Sequence, residues 1–162
     1  SDNLSIEGIL KDDKYCQDIN SFRGEHGIFT LVSFVRNYLP RAKIIPLILR
    51  SKNDYDSFYD LGKNMAKNFS DEKTLFVISS DFSHYTTESE AKKQDEQSIE
   101  ILKIKDKEKI SLVNSDCPQC VAFLFGYLGK NSQFNLIKNT NSFEISGENK
   151  DYVTSYVNGY YK

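Results

Sequence analysis

The residue types of acid–base chemistry gather in one stretch, Ser80-Asp81-Phe82-Ser83-His84-Tyr85. A carboxylate three residues before an imidazole can orient the ring and favour its charged form, which poises a general acid or base near neutral pH. The same residues also have a plain structural use. Ser80, Asp81 or Ser83 can accept backbone N–H bonds at the start of the next helix, with His84 a bystander. A second carboxylate and imidazole stand together at Glu25-His26, and His26 and His84 are the only two histidines. Either Glu25 and His26 project into the cleft of His84, or Glu25 complements a helix dipole and His26 makes a structural hydrogen bond.

A third candidate is Cys117-Pro118-Gln119-Cys120. Proline suits a first helical turn, and a cysteine there has its thiolate stabilised by free N–H groups. The spacing suits a dithiol redox pair, Cys117 with Cys120. A single thiolate directed at the His84 cleft suits a metal instead, and two inert core cysteines are the third reading. A four-ligand structural zinc site is disfavoured, because no second Cys-x-x-Cys or His-x-His accompanies the first.

These residues need a scaffold, and the apolar pattern supplies one. Leu75 to Ile78 form an unbroken apolar run that stops at Ser79-Ser80-Asp81, so residues 75–79 read as a strand buried on both faces. Residues 44–49 read as a second, with Pro46 arguing for an edge or a strand end. Between them Tyr55, Phe58, Leu61, Met65 and Phe69 recur at helical spacing. Strand, helix, strand predicts a parallel, adjacent pair with His84 at the carboxyl edge, where open α/β sheets hold their sites.

Upstream, Ile28, Leu31, Val32, Val35 and Leu39 predict a helix ending before Pro40, while residues 1–23 read as a loosely anchored segment with one strand. Downstream, residues 87–104 read as a charged helix with Ala91, Ser98, Ile99 and Leu102 inward. A short helix over 107–113 follows, then an apolar helix over 121–128 opened by the cysteine turn. Residues 133–138 and 152–157 read as strands with a polar turn region, 139–149, between them. Gly159 marks a bend or a close backbone approach.

The chain has 162 residues, 39% hydrophobic and 27% charged, the profile of one soluble globular domain spanning 1–162. A net charge of −2 argues against a nucleic-acid surface. No apolar run approaches the roughly 20 residues of a membrane span, and no signal peptide opens the chain. Three cysteines, an odd count, do not suit a secreted disulfide framework, so a cytoplasmic setting is expected. A first residue of Ser1 points to a processed or trimmed chain.

Phe-Val-Ile-Ser-Ser-Asp-Phe-Ser-His-Tyr over residues 76–85 resembles the signature of the Memo-like family, called in bacteria AmmeMemoRadiSam system protein B. Three further segments follow in the family's order. Glu25-His26-Gly27-Ile28 resembles its Glu-His-Ser-Ile, Ile44-Ile45-Pro46-Leu47 its Ile-Ile-Pro-Val, and residues 151–159 its terminal Ser-Val-Ser-Tyr-Ala-Ala-Gly strand. Cys117 falls at the family's Cys-Gly-x-x-Pro, with Pro118 in place of the glycine and Val121 in place of the proline; Cys120 has no counterpart there.

The resemblance implies a three-layer α/β/α fold like that of class III extradiol dioxygenases, with a mainly parallel or mixed central sheet. It also implies iron or copper as cofactor, His84 and Asp81 as catalytic residues, Cys117 as a metal ligand, and Glu25, His26, Ser80 and Tyr85 lining the cleft. It covers the second half of the family only. The Ala-Pro-His-Ala-Gly and Gly-Pro-Ser-His-His segments, which supply two histidine ligands, are not in this chain. Cys117 with one imidazole is short of a three-ligand open site, so the expected metal site is incomplete and empty in this chain alone. The expected partner is the missing N-terminal half or a second copy of the chain. Three functions stay open: a redox or dioxygenase-like metalloprotein or radical-SAM-linked component, a non-catalytic peptide- or protein-binding module, and a Cys117/Cys120 dithiol protein.

Overall fold

The computed structural model describes residues 19–50, 54–69 and 73–162. Two units divide the chain, residues 1–48 and 49–162. In the first, a 3-10 turn over Ile19–Phe22 precedes helix α1, His26–Tyr38. Glu25 is its N-cap, the carboxylate accepting Gly27 N–H at 3.0 Å, which satisfies one of the donors every helix start leaves open. The strand expected within residues 1–23 falls largely outside the described residues.

The second unit is mixed α/β. Helix α2, Tyr55–Phe69, carries the expected apolar stripe, and strand β1 is His84–Thr86. Helix α3, Glu88–Ile104, is followed by a 3-10 turn over Lys107–Leu112 and then helix α4, Pro118–Tyr127. Strand β2, Phe134–Asn141, leads through a short helix α5, Ser142–Ser146, to strand β3, Val153–Tyr161. The sheet is three-stranded in the order β1-β3-β2, and both pairings are antiparallel.

That sheet corrects the expected one. Residues 44–49 and 75–79 form no strand, so the parallel pair is not observed. The second segment shows why an unbroken apolar run misleads. Its exposure alternates residue by residue. Phe76 packs on Phe123 and Tyr127 of α4, at ring-centroid distances of 5.7 and 4.1 Å, while Leu75 and Val77 stay 73% and 54% exposed. The segment is extended and covered on one side, with no ladder among the described residues. In the segment at 44–49, Pro46 also removes a ladder donor. The polar region 139–149 likewise proves more ordered than expected, because β2 runs on to Asn141 and Asn141 then caps α5, its side chain accepting Glu144 N–H at 2.9 Å.

The core of the second unit joins Phe82, Ile101, Leu102, Ile110, Val113, Val121, Ala122 and Phe125. Helices α2 and α4 cross closely enough that a Cβ on Gly62 would enter the Phe123 carbonyl, and one on Gly126 the Tyr59 carbonyl. Only glycine fits at that crossing, so α4, which carries the cysteine turn at its start, is seated against α2 backbone to backbone. Gly159 makes the close approach expected of it, to the ring of Phe134.

Candidate functional site

One face of α3 positions both candidate loops. Thr87 opens the helix, its hydroxyl accepting Glu90 N–H at 3.3 Å, so the cap is neither Ser80, Asp81 nor Ser83. Ala91, Asp95, Ser98, Ile99 and Leu102 are buried on this helix. Asp95, 1% exposed, accepts the hydroxyls of Ser83 and Ser155 on one oxygen, each at 2.8 Å. Ser83 O accepts Ser155 N–H at 2.7 Å, and Phe82 N–H donates to Ser155 O. The Asp-Phe-Ser-His stretch is thereby clamped between α3 and β3. Ser98 accepts Asn114 N–H at 2.9 Å, and Asn114 donates its side-chain amide to Gln94 at 2.7 Å, which fixes the loop leading into Cys117.

The two loops meet. Asp116 N–H donates to the Asp81 carbonyl at 3.1 Å. Ser80 Oγ lies 2.5 Å from Ser115 Oγ and 2.6 Å from Asp116 Oδ1, while Cys117 N–H donates to Ser115 Oγ at 3.2 Å. Each hydroxyl has one proton, so the order is fixed: Cys117 N–H to Ser115, Ser115 to Ser80, Ser80 to the Asp116 carboxylate. Ser80 and the backbone of Asp81 thus adjoin the start of the cysteine turn. The Asp81 side chain is exposed.

His84 is part-buried on the edge strand, paired with Thr154. Its Nδ1 lies 2.9 Å from the Phe82 carbonyl, so this backbone oxygen orients the ring in the way expected of Asp81. Tyr85 is the extra residue of a bulge, since His84 pairs with Thr154 and Thr86 with Val153. Its φ of 58° lies in the left-handed region, a strained setting for a residue with a bulky side chain, and such bulges re-aim neighbouring side chains. The Tyr85 ring meets His84 edge-on at 4.6 Å and packs on Tyr152 at 5.3 Å. Glu25 and His26 belong to the first unit, Glu25 as the α1 cap and His26 as its first residue, whose carbonyl accepts Thr30 Oγ1 at 2.7 Å.

Cys117 is the N-cap residue of α4 and Pro118 opens the helix, in keeping with the sequence. The two cysteines are joined as a disulfide, with Cα atoms 5.2 Å apart. Cys117 therefore has no free thiolate in this state, and no group of three or more His, Cys, Asp or Glu among the described residues is arranged to hold a metal ion. The donors among the described residues do not by themselves fit the iron or copper that the resemblance implied.

A family model described as Memo-like protein matches residues 2–159. The chain belongs to the Memo-like family. The Memo-like chain is 36% identical over 73 residues to a MEMO1 family protein of Aquifex aeolicus, covering 44% of this chain and 27% of the relative. It is 32% identical over 98 residues to one of Methanococcus maripaludis, covering 56% and 34%, and 30% identical over 110 residues to one of Nitrosopumilus maritimus, covering 67% and 40%. The matched stretches thus cover less than half the length of these curated relatives.

Asp95 escaped the sequence reading of this Memo-like chain because it sits among Lys92, Lys93, Gln94 and Glu96 on a helix read as charged, with only Ala91, Ser98, Ile99 and Leu102 placed inward. Its signal is spacing. Ala91, Asp95, Ser98 and Leu102 follow the helical stripe, and a carboxylate inside such a stripe needs hydrogen-bond partners. No helix among the described residues is long and apolar enough to cross a membrane.

Proposed function

We propose that this chain forms one wall of the cleft of a Memo-like protein, with His84 as its acid–base residue and Asp81, Ser80 and Tyr85 beside the substrate. The observation that carries the reading is the anchoring of the His84 ring. A carbonyl only accepts, so the bond to Phe82 O assigns the proton of the neutral ring to Nδ1 and leaves the lone pair on Nε2. Nε2 has no hydrogen-bond partner among the described residues, so it is available to take a proton from a substrate hydroxyl and return it. The strained bulge at Tyr85 adds support, because such backbone gathers at functional sites.

Any iron or copper would draw its ligands from a further segment, in the same polypeptide or bound to it, because the described donors do not make a three-ligand set. The three-layer α/β/α arrangement, and a redox, dioxygenase-like or radical-SAM-linked role, are proposals for that complete protein. A cytoplasmic setting accords with the odd cysteine count.

Metal analysis tests the shared site. The 162-residue chain should hold far less than one equivalent of iron or copper, and a longer Memo-like polypeptide that includes it about one. Nitrogen-correlated NMR of the imidazole should report the Nδ1–H tautomer for His84. Stoichiometric metal in the 162-residue chain, lost on Cys117→Ser, or an Nε2–H tautomer, would overturn the reading.

A further inference from the structure

The acid–base reading leaves the cysteine turn unused. Its sulfurs are bonded to each other, and both Cys117 and Cys120 are only part-buried, so thiols from outside have a route to the bond. We propose that Cys117 and Cys120 form a thiol–disulfide exchange site whose substrate is a dithiol, or in the reverse direction a disulfide, carried by another protein.

Three features carry this. The bond closes a loop of only four residues, and a link that short restricts the unfolded chain least, so reinforcement of the fold is a weak account of it. The turn is also held by other means. Pro118 fixes the first helical turn, Cys120 N–H donates to Cys117 O at 2.9 Å, the buried Gln119 amide reaches the Leu49 carbonyl at 3.4 Å, and α4 is seated on α2 at Gly62 and Gly126. This frame does not depend on the S–S bond, so opening and closing can be reversible. Finally, the chain of bonds from Cys117 N–H through Ser115 to Ser80 links the turn to the loop beside Asp81.

The exchange balances without a metal. One thiolate of the partner attacks a sulfur of the pair, forming a mixed disulfide, and the S–S electron pair leaves on the other cysteine, which takes a proton. The partner's second thiol loses its proton, attacks the mixed disulfide and releases the first cysteine, which takes that proton. Two electrons have moved: the partner dithiol is oxidised to a disulfide, and Cys117 and Cys120 are both thiols. The proposal does not rest on the role of His84, so either can fail alone.

The test uses the full 162-residue chain carrying Cys16→Ser, which silences the third thiol. Samples are equilibrated in glutathione buffers from fully reduced to fully oxidised, quenched in acid, alkylated and weighed by intact mass spectrometry. A reversible step of two alkyl groups on Cys117 and Cys120, with an unchanged far-UV spectrum across it, is expected. The reduced chain should also reduce insulin disulfides at least tenfold faster than the same chain with Cys117→Ser and Cys120→Ser. A pair that never opens while the fold is intact, never recloses in oxidised glutathione, or unfolds the protein on opening overturns the proposal, as do equal insulin rates. The glutathione titration needs no cysteine-turn variant, so it decides the matter even where the double variant does not fold.

Discussion

Ser83 donates its hydroxyl to Asp95 Oδ1 at 2.8 Å, with both side chains fully shielded from water. This bond, with the matching one from Ser155, ties the loop of His84 to the middle of α3. Asp95→Ala strips two buried hydroxyls of their acceptor and should cost about 3 kcal/mol or more of stability. Asp95→Asn keeps an acceptor oxygen and should cost clearly less. Urea unfolding of the three proteins gives the ranking, and equal midpoints for parent and Asp95→Ala would remove the clamp.

Tyr161 closes the other end of α3. Its hydroxyl donates to the Leu102 carbonyl at 2.7 Å, one of the carbonyls that a helix end leaves without an internal partner. Tyr161→Phe should cost about 1 to 2 kcal/mol at neutral pH. Burial pushes the phenol above the ordinary tyrosine range. A group raised in the folded state contributes fully below its unfolded pKa and loses that contribution as pH rises towards the folded value. Stability of the parent should therefore fall off above pH ~10, and Tyr161→Phe should lack that part of the alkaline loss. Thermal unfolding from pH 7 to 11 measures the difference.

Tyr85 makes a test of backbone rather than side chain. A β-branched residue tolerates the left-handed region poorly, so Tyr85→Val should destabilise by about 1 to 2 kcal/mol. Asn is at home there, and Tyr85→Asn should lose only the ring contacts with His84 and Tyr152. Were Val the milder of the two in denaturant titration, the bulge would not have the conformation described.

Glu144 carries the acid side of the stability profile. A hydrogen bond from Thr140 and the Lys92 ammonium, 3.1 Å away, hold its carboxyl below the usual carboxylate range. A depressed carboxylate contributes above its unfolded pKa and loses the contribution as pH falls through the folded value. Glu144→Gln should be less stable than the parent at pH 7, with the gap closing once the pH is below ~4. The gap should be small and should narrow in salt, as for any exposed ion pair. A gap that widens on acidification would contradict this.

The helices were legible because their signals are local. Stripes such as Tyr55, Phe58, Leu61, Met65 and Phe69 and a first-turn Pro118 each act within a few residues, although the cap of α3 proved to be Thr87 and none of Ser80, Asp81 or Ser83. Strands depend on who pairs with whom, and that the sequence does not spell out. Residues 75–79 have the composition of a buried strand but no ladder, whereas His84–Thr86, read as loop, finds its partner in β3. At the site, the meeting of Ser80 with Ser115 and Asp116 was hidden for the same reason. The polarity of each side chain is in the sequence, but their proximity comes from α3 holding both loops through Asp95 and Ser98.

The antiparallel pairing of β1 with β3 also sets a timetable for synthesis. A chain leaving the ribosome folds from its N-terminal side as residues emerge. His84 is made well before Thr154, which pairs with it, and Ser155, which shares Asp95 with Ser83. Helices α2 to α4 can assemble on the nascent chain, while the His84 loop waits, half anchored, for residues 153–161. A translation product that stops before them would have its helices but not its ordered imidazole.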